Sequence, residues 1–252
     1  MIEQNRAIRR FYPEVEAGGY TRVDSTVEFY LRVNALVKKD MTIVDLGAGR
    51  GSAFEEHPEG FMAALRNFKG KCQKVIGIDI DRAVLQNVSL DEAKLIDERG
   101  NIPLADSSVD LIFSDFTFEH VVEPEKFSSE IFRILKPGGW ICARTPNKWG
   151  YIAIGARLVP NRAHVKFLTV LQPRRKDIDV FPTEYRLNTP RDLRKYFPDG
   201  RWQRYAYTWN PEPAYFSDSI PAWAIMITIF KLLPQRFGSV FLFYARKNTP
   251  SG

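Results

Sequence analysis

The chain has 252 residues, 44% of them hydrophobic and 26% charged, which is enough apolar material for one large buried core and too much for a disordered polypeptide. Its net charge of +6 is uneven, with −3 over residues 1–150 and +9 over residues 151–252, so a basic surface for phosphate, nucleic acid or an anionic membrane belongs to the second part. The opening "MIEQNRAIRRFYPEVE" has no apolar stretch of signal-peptide length, and Cys72 and Cys142 fit neither a zinc spacing nor a CxxC pair; both features speak for a cytoplasmic protein without disulfides or sulfur-held metal.

Along the chain, Asp24 is placed to cap a helix whose Phe29, Val33, Leu36 and Val37 share one face. "TIVDLG" then reads as a buried parallel strand, followed by a glycine turn and a helix through "FMAALRNF". "KVIGIDI" repeats the strand pattern, and Asp81 is suited to cap the next helix, "RAVLQNVS". A weaker strand at "AKLID" precedes Asp106, a turn residue, and a fourth strand, "VDLIFSD". "PEKFSSEIFRIL" is helical, "KPGG" is expected to stop it, and "WICARTP" resumes a strand. A helix at "PRDLRKYF" and strands at "RWQRYAYTW" and "FGSVFLFYARK" complete the series. Strands alternating with helices predict an α/β fold, a doubly wound, Rossmann-like sheet with helices on both faces.

The chain divides accordingly into a helical segment, 1–40, a cofactor-binding core, 41–147, an insert, 148–189, and a C-terminal completion of the sheet, 190–252, which carries an apolar helical insert at about 211–235.

In such a sheet ligands bind beyond the carboxyl ends of the strands. The chemically suggestive residues fall there: Gly47 to Gly51 after the first strand, Asp79 after the second, Glu98 after the third, Ser114 to His120 after the fourth. Glycines let the backbone approach a ligand, and Asp79 can accept two hydrogen bonds from a ribose diol. A dinucleotide site wants G-x-G-x-x-G; here the spacing is G-x-G-x-G, with Asp45 two residues before the first glycine. That acid would repel a pyrophosphate and suits the ammonium of a methionine moiety, which favours S-adenosylmethionine.

"VDLGAGRG", "GIDID", "NIPLADSSVDLIFSDFTFEHV" and "FRILKPGGWICARTPN", in this order, resemble the class I S-adenosylmethionine-dependent methyltransferases over about residues 40 to 147. The resemblance implies a seven-stranded methyltransferase sheet in which Asp45, Gly47, Ala48 and Gly49 surround the methionine part of S-adenosyl-L-methionine. Asp79 would hold the ribose hydroxyls and Ile80 would lie against the adenine. Glu98 would face the adenine amino group, the backbone N–H of Arg99 the ring, and the backbone carbonyls of Ser114 and Asp115 the cofactor's amine. Each position also has a plainer use: Asp79 and Asp81 as helix caps, Glu98 as a solvated turn residue.

Methyl transfer from a sulfonium relies on positioning, but an alcohol acceptor must lose its proton during attack and needs a general base. His120, in "FEHV" at the edge of the crevice, is the candidate; the alternative is a histidine that caps or packs the next helix. The same piece resembles the ubiquinone-pathway O-methyltransferases, in which Glu-x-x-Glu-His can hold a divalent ion. Here Phe116 takes the first glutamate's place, leaving Glu119 and His120, too few ligands for a hard cation, and no metal is expected.

Acceptor choice falls to the inserts. Residues 148–189 are long enough to build a lid. Ile220 to Leu233 is nearly all apolar yet too short to span a bilayer, so it is either a helix buried under the lid or an interfacial helix, with Lys231 and Arg236 at the inner membrane face. The C-terminal region is similar in pattern to methyltransferases of bacterial surface-glycan and lipid-linked sugar pathways. The expected function is therefore transfer of a methyl group to a small-molecule, sugar or lipid-linked acceptor, with O-methylation favoured. A nucleic-acid methyltransferase, which lacks support from any Asn-Pro-Pro-Tyr motif, and a non-catalytic cofactor-binding protein are the other readings.

Overall fold

The computed structural model describes residues 6–51, 59–151, 153–154 and 182–249. In chain order these form α1 (Arg6–Phe11), α2 (Ser25–Leu36), β1 (Thr42–Leu46), α3 (Phe61–Arg66), β2 (Lys74–Asp79), β3 (Glu92–Leu95), β4 (Val109–Asp115), α4 (Pro124–Ile134), β5 (Leu135–Pro146), α5 (Pro190–Tyr196), β6 (Trp202–Trp209), α6 (Ile220–Leu232) and β7 (Val240–Lys247). The strands make one sheet of order β3-β2-β1-β4-β5-β7-β6, parallel except for β7, which runs antiparallel to both neighbours. The doubly wound α/β expectation holds, and the winding direction switches between β1 and β4, where a crevice must open.

Helices cover both faces. On one side Phe29, Tyr30 and Val33 of α2 and Leu65 of α3 pack on Ile43, Val75, Leu111 and Leu242. On the other, Ile131 and Ile134 of α4 and Leu193 of α5 meet Val44, Ile76, Ile112 and Phe243. Asp24 starts α2 as expected, its carboxylate accepting from the Thr26 and Val27 amides. Asp81 likewise caps the segment after β2, but that segment is a 3₁₀ turn, Arg82–Gln86, in place of the expected α-helix. Asn87 accepts from the Ser89 amide and hydroxyl and donates to the glycine loop, which offers the backbone an alternative to further helical turns.

One expectation needs correction and another, the turn at Asp106, holds. "KPGG" does not stand between helix and strand: the strand begins at Leu135, and a register shift places Val109 opposite Leu135 but Leu111 opposite Trp140. Gly139 is required inside this bulge because a side chain there would press on the Asp110 and Lys136 carbonyls. Asp106 is more than a turn residue, since the Arg133 guanidinium binds its carboxylate together with Glu130 and the Ile102 and Leu104 carbonyls, clamping the connection from β3 to β4. Of the insert at 148–189, residues 152 and 155–181 lie outside the described residues, and the expected lid with them. Cys142 is buried in β5 and Cys72 is partly buried; neither is bonded to the other.

An aromatic cluster behind the crevice ties the layers together. Phe243 of β7 lies 5.0 Å from Phe197 and 6.3 Å from Phe118, ring centre to ring centre, and is fully buried. Truncating it leaves a cavity that rigid strands cannot close, so Phe243→Ala should lower unfolding free energy by about 3–5 kcal/mol in urea titrations.

Candidate functional site: a crevice at the carboxyl ends of β1, β2 and β4

The three glycines after β1 all take left-handed backbone angles, but they are small for different reasons. A Cβ on Gly47 would fall inside the Thr117 side chain, and one on Gly51 inside Asn87. Of the three, only Gly49 (φ +52°) would place it where nothing among the described residues lies within 4 Å. The cradle is therefore open at one residue, and the protein's own side chains line the other two.

Second-layer groups fix this loop. Asn87 donates through Nδ2 to the Ala48 and Gly49 carbonyls, at 3.1 and 3.2 Å. The buried Ser114 hydroxyl and that of Thr117 both donate to the Leu46 carbonyl, at 2.9 and 3.3 Å. Asp79 turns into the crevice, one carboxylate oxygen accepting from the Gly49 amide (2.8 Å) and the other from the Asp81 amide (2.9 Å). Each oxygen keeps a lone pair for a further donor. Ile80, next in the chain, is 68% exposed, an apolar surface beside the acid.

Asp45 lies partly buried on β1 between Gly77 and Phe113. Burial, then the neighbouring Asp115 and Asp79 carboxylates, push its pKa up to about 8, against an opposing pull from Arg66. Asp115 is held differently: Arg144 grips its carboxylate with two bonds of 2.6 and 2.7 Å, and the Tyr30 hydroxyl donates to it at 3.2 Å. Its side chain is thus committed to the scaffold, which leaves its backbone for any ligand role. Phe116 follows at φ +56°, an unusual conformation for a phenylalanine, stacked under the Arg144 guanidinium at 4.7 Å.

After β3 the expected Glu98 stands beside an acid ordered by its own turn. Asp97, not Glu98, is the organised carboxylate: it accepts from the Asn101 amide and side chain and from the Arg99 amide, and these donors hold it below the usual carboxylate range. The Arg99 N–H is spent on Asp97 at 3.0 Å and so does not face the crevice as expected. Glu98 and Arg99 are exposed on the wall of a shallow pocket that Asp97 and Asn101 also line. "DERGN" carries the signal of such a side-chain turn, an Asp followed by Gly-Asn, whereas nothing local in the sequence connects Asn87, Thr117 or Arg144 to the glycine loop.

His120 ends the 3₁₀ turn Phe118–His120, and its Nδ1 lies 2.7 Å from the Pro182 carbonyl. A carbonyl only accepts, so this contact places the proton on Nδ1 and makes Nε2 the acceptor of the neutral ring. The Glu119 carboxylate beneath it is buried and takes the Thr145 hydroxyl at 2.9 Å, which in turn accepts from Asn188 at 2.6 Å. Glu119 Oε1 comes within 3.9 Å of Nε2. Among the described residues no group of three His, Cys, Asp or Glu side chains could hold a metal ion.

Beyond the ends of β5 and β7 lies an apolar cleft of about 220 Å³, lined by Trp149, Tyr151, Met226, Ile229, Phe230 and Phe237 among others. It is smaller than a site that encloses a whole organic ligand, so it suits part of one. The Tyr151 hydroxyl is buried without a hydrogen-bond partner among the described residues, and burial pushes that phenol up.

Residues 44–143, the segment that builds this crevice, match the family model of the methyltransferase domain. This segment is thus similar to a methyltransferase domain, and the comparisons support S-adenosyl-L-methionine as the cofactor. Over 79 residues the chain is 37% identical to a probable S-adenosylmethionine-dependent methyltransferase of Mycolicibacterium smegmatis, covering 30% of this chain and 31% of that protein. Over 116 residues it is 32% identical to malonyl-[acyl-carrier protein] O-methyltransferase 1 of Coxiella burnetii, covering 46% and 36%. The chain thus spans about a third of the length of these relatives. A chain of the complex between a Haloferax volcanii methyltransferase and a methyltransferase activator superposes with a TM-score of 0.55 at 20% identity, over 98% of this chain and 96% of that one, which shows a shared fold.

The residues present fit S-adenosylmethionine. The gap at Gly49, the carboxylates of Asp45 and Asp79 and the exposed Ile80 offer an open cradle, acceptors for a cation and a diol, and an apolar wall. They do not fit a pyrophosphate, which would meet acids. The contrast between glycines is testable: Gly49→Ala should cost about 1–2 kcal/mol of backbone strain, yet abolish measurable cofactor binding in calorimetry. Gly47→Ala carries the same strain plus the collision with Thr117, and its thermal midpoint should fall further than that of Gly49→Ala.

Proposed function

We propose that this protein transfers a methyl group from S-adenosyl-L-methionine to a hydroxyl of a small-molecule, sugar or lipid-linked acceptor. The bound cofactor supplies an electrophilic methyl group on a sulfonium. Asp45 would accept from its ammonium, Asp79 from its ribose hydroxyls, and the Gly49 gap would admit it. The single observation that carries O-methylation is the Nδ1 contact of His120 with the Pro182 carbonyl, since it orients the ring with Nε2 ready to receive a proton. An alcohol needs such a base, whereas a thiolate or a neutral amine does not.

The apolar cleft beside β5 favours an acceptor with an apolar portion. The O-methyltransferase among the relatives is compatible with this choice of atom. Incubation with methyl-labelled cofactor and a panel of hydroxyl, amine and thiol acceptors tests the reading; label that enters only amines or thiols overturns it.

With an active acceptor, His120→Ala should reduce kcat by about 10²–10⁴-fold while leaving cofactor affinity unchanged. A second expectation concerns Asp45. In the ligand-free protein its carboxyl stays protonated until the pH approaches 8, so a cationic ligand must expel that proton, and binding is favoured by rising pH. Between pH 6 and 7.5, where an α-ammonium remains charged, cofactor affinity should rise by up to about tenfold per pH unit. Calorimetry of Asp45→Asn should show weaker binding without this slope.

A further inference from the structure

Helix α6 is apolar on every side, with Thr228 and Lys231 its only polar side chains, and such a helix is normally enclosed. Here only one side is. Trp223 is fully buried against α1, 6.2 Å from the Phe11 ring and 6.3 Å from Tyr12, with Ile220 and Ile227 alongside. Met226 and Phe230 face the apolar cleft. The remaining stripe, Ala224, Ile225, Thr228, Ile229 and Leu232, is open to solvent, with Ile225 60% and Leu232 79% exposed. Even the hydroxyl on this stripe is turned away, since Thr228 donates to the Ala224 carbonyl at 2.8 Å. Leu233, Trp149 and Ile154 are also exposed, the latter two across the cleft from α6, and extend the apolar surface. Isolated apolar residues on a surface are ordinary; a continuous stripe of this extent marks a contact.

Its surroundings choose the occupant. Lys231 and Arg236 are exposed at the carboxyl end of the helix, and the packing of α1 on α6 brings exposed Arg6 and Arg10 beside it. Arg9 is paired with Glu16, Asp218 accepts from the Ala7 amide and Glu212 is drawn inward to Thr21, so the exposed charges bordering the stripe include the cations Arg6, Arg10, Lys231 and Arg236. Apolar side chains bordered by arginine and lysine are complementary to acyl chains beneath anionic headgroups. With 13 residues the helix is about 20 Å long, and no helix among the described residues is long and apolar enough to cross a membrane. It can only lie along the surface.

We propose that α6, with α1 behind it, docks this protein onto an anionic phospholipid surface, the stripe from Ala224 to Leu233 entering the interface and the four cations meeting headgroups. Because Ile229 and Leu233 belong both to the stripe and to the apolar cleft, docking would open that cleft toward the bilayer.

Flotation with vesicles tests this without reference to catalysis. The full chain should float with phosphatidylcholine vesicles that contain phosphatidylglycerol and bind pure phosphatidylcholine at least about tenfold more weakly, with the difference lost at high salt. The Ile225→Asp, Leu232→Asp double variant, altered only on the open stripe and outside the cleft, should keep its far-UV circular dichroism and lose vesicle binding. Arg6→Glu with Arg10→Glu should lose the preference for anionic vesicles. Failure of the unaltered chain to float, undiminished binding by the double variant, or a dimer in sedimentation that the double variant dissolves would each overturn the proposal, the last by making a second copy the occupant.

Discussion

The crevice depends on a buried ion pair. Three carboxylates, Asp45, Asp79 and Asp115, stand near one another at the carboxyl edge of the sheet, and in a partly dry setting their repulsion would drive the loops apart or force protons onto them. Arg144 resolves this by binding Asp115 with both oxygens, while it also donates to the Ser25 and Thr26 hydroxyls at the start of α2 and stacks on Phe116. One guanidinium thereby joins β5, β4, the loop after β4 and α2. Removing either partner would leave a buried charge uncompensated, a larger penalty than the pair itself returns in stability.

With Asp115 neutralised, the repulsion is borne by Asp45, which answers by holding its proton. The protein keeps there a carboxyl that is largely protonated near neutral pH, and a positive group would favour its anion. A fully solvated aspartate would be charged at all times and would gain less from the same ligand, because water would screen it. Asp79, tied by two backbone amides, presents a rigid pair of acceptors instead. The two acids thus differ in environment.

The far side of the same edge is built on other principles. Glu119, Thr145 and Asn188 form a buried chain of hydrogen bonds beneath His120, and Glu119's carbonyl receives the Glu184 and Tyr185 amides. These bonds hold residues 182–188 against β5, so that the Pro182 carbonyl meets the imidazole. From β5 onward Asn147 donates to the Arg236 and Gly238 carbonyls and links the histidine's surroundings to the segment that follows α6. A polar floor of buried hydrogen bonds thus borders an apolar cleft and an open apolar helix.

The order of strands and helices was legible in the sequence because it rests on local chemistry. β-branched runs, an Asp24 cap, a 3.6-residue apolar rhythm in α4 and glycines with left-handed angles act within a few residues. The crevice could be located for the same reason, as the sum of strand ends. Even the short apolar helix at 220–232 was readable, though its exposure was not. What the tertiary structure decided are contacts between segments far apart in the chain: Thr117 behind Gly47, Asn87 behind Gly51, Arg144 on Asp115, Pro182 against His120. No periodicity encodes which of three alternate glycines has no described neighbour in its way, or whether Asp97 or Glu98 is the ordered acid. Those outcomes follow from where rigid strands bring distant side chains, and a one-residue shift in a loop is enough to exchange them.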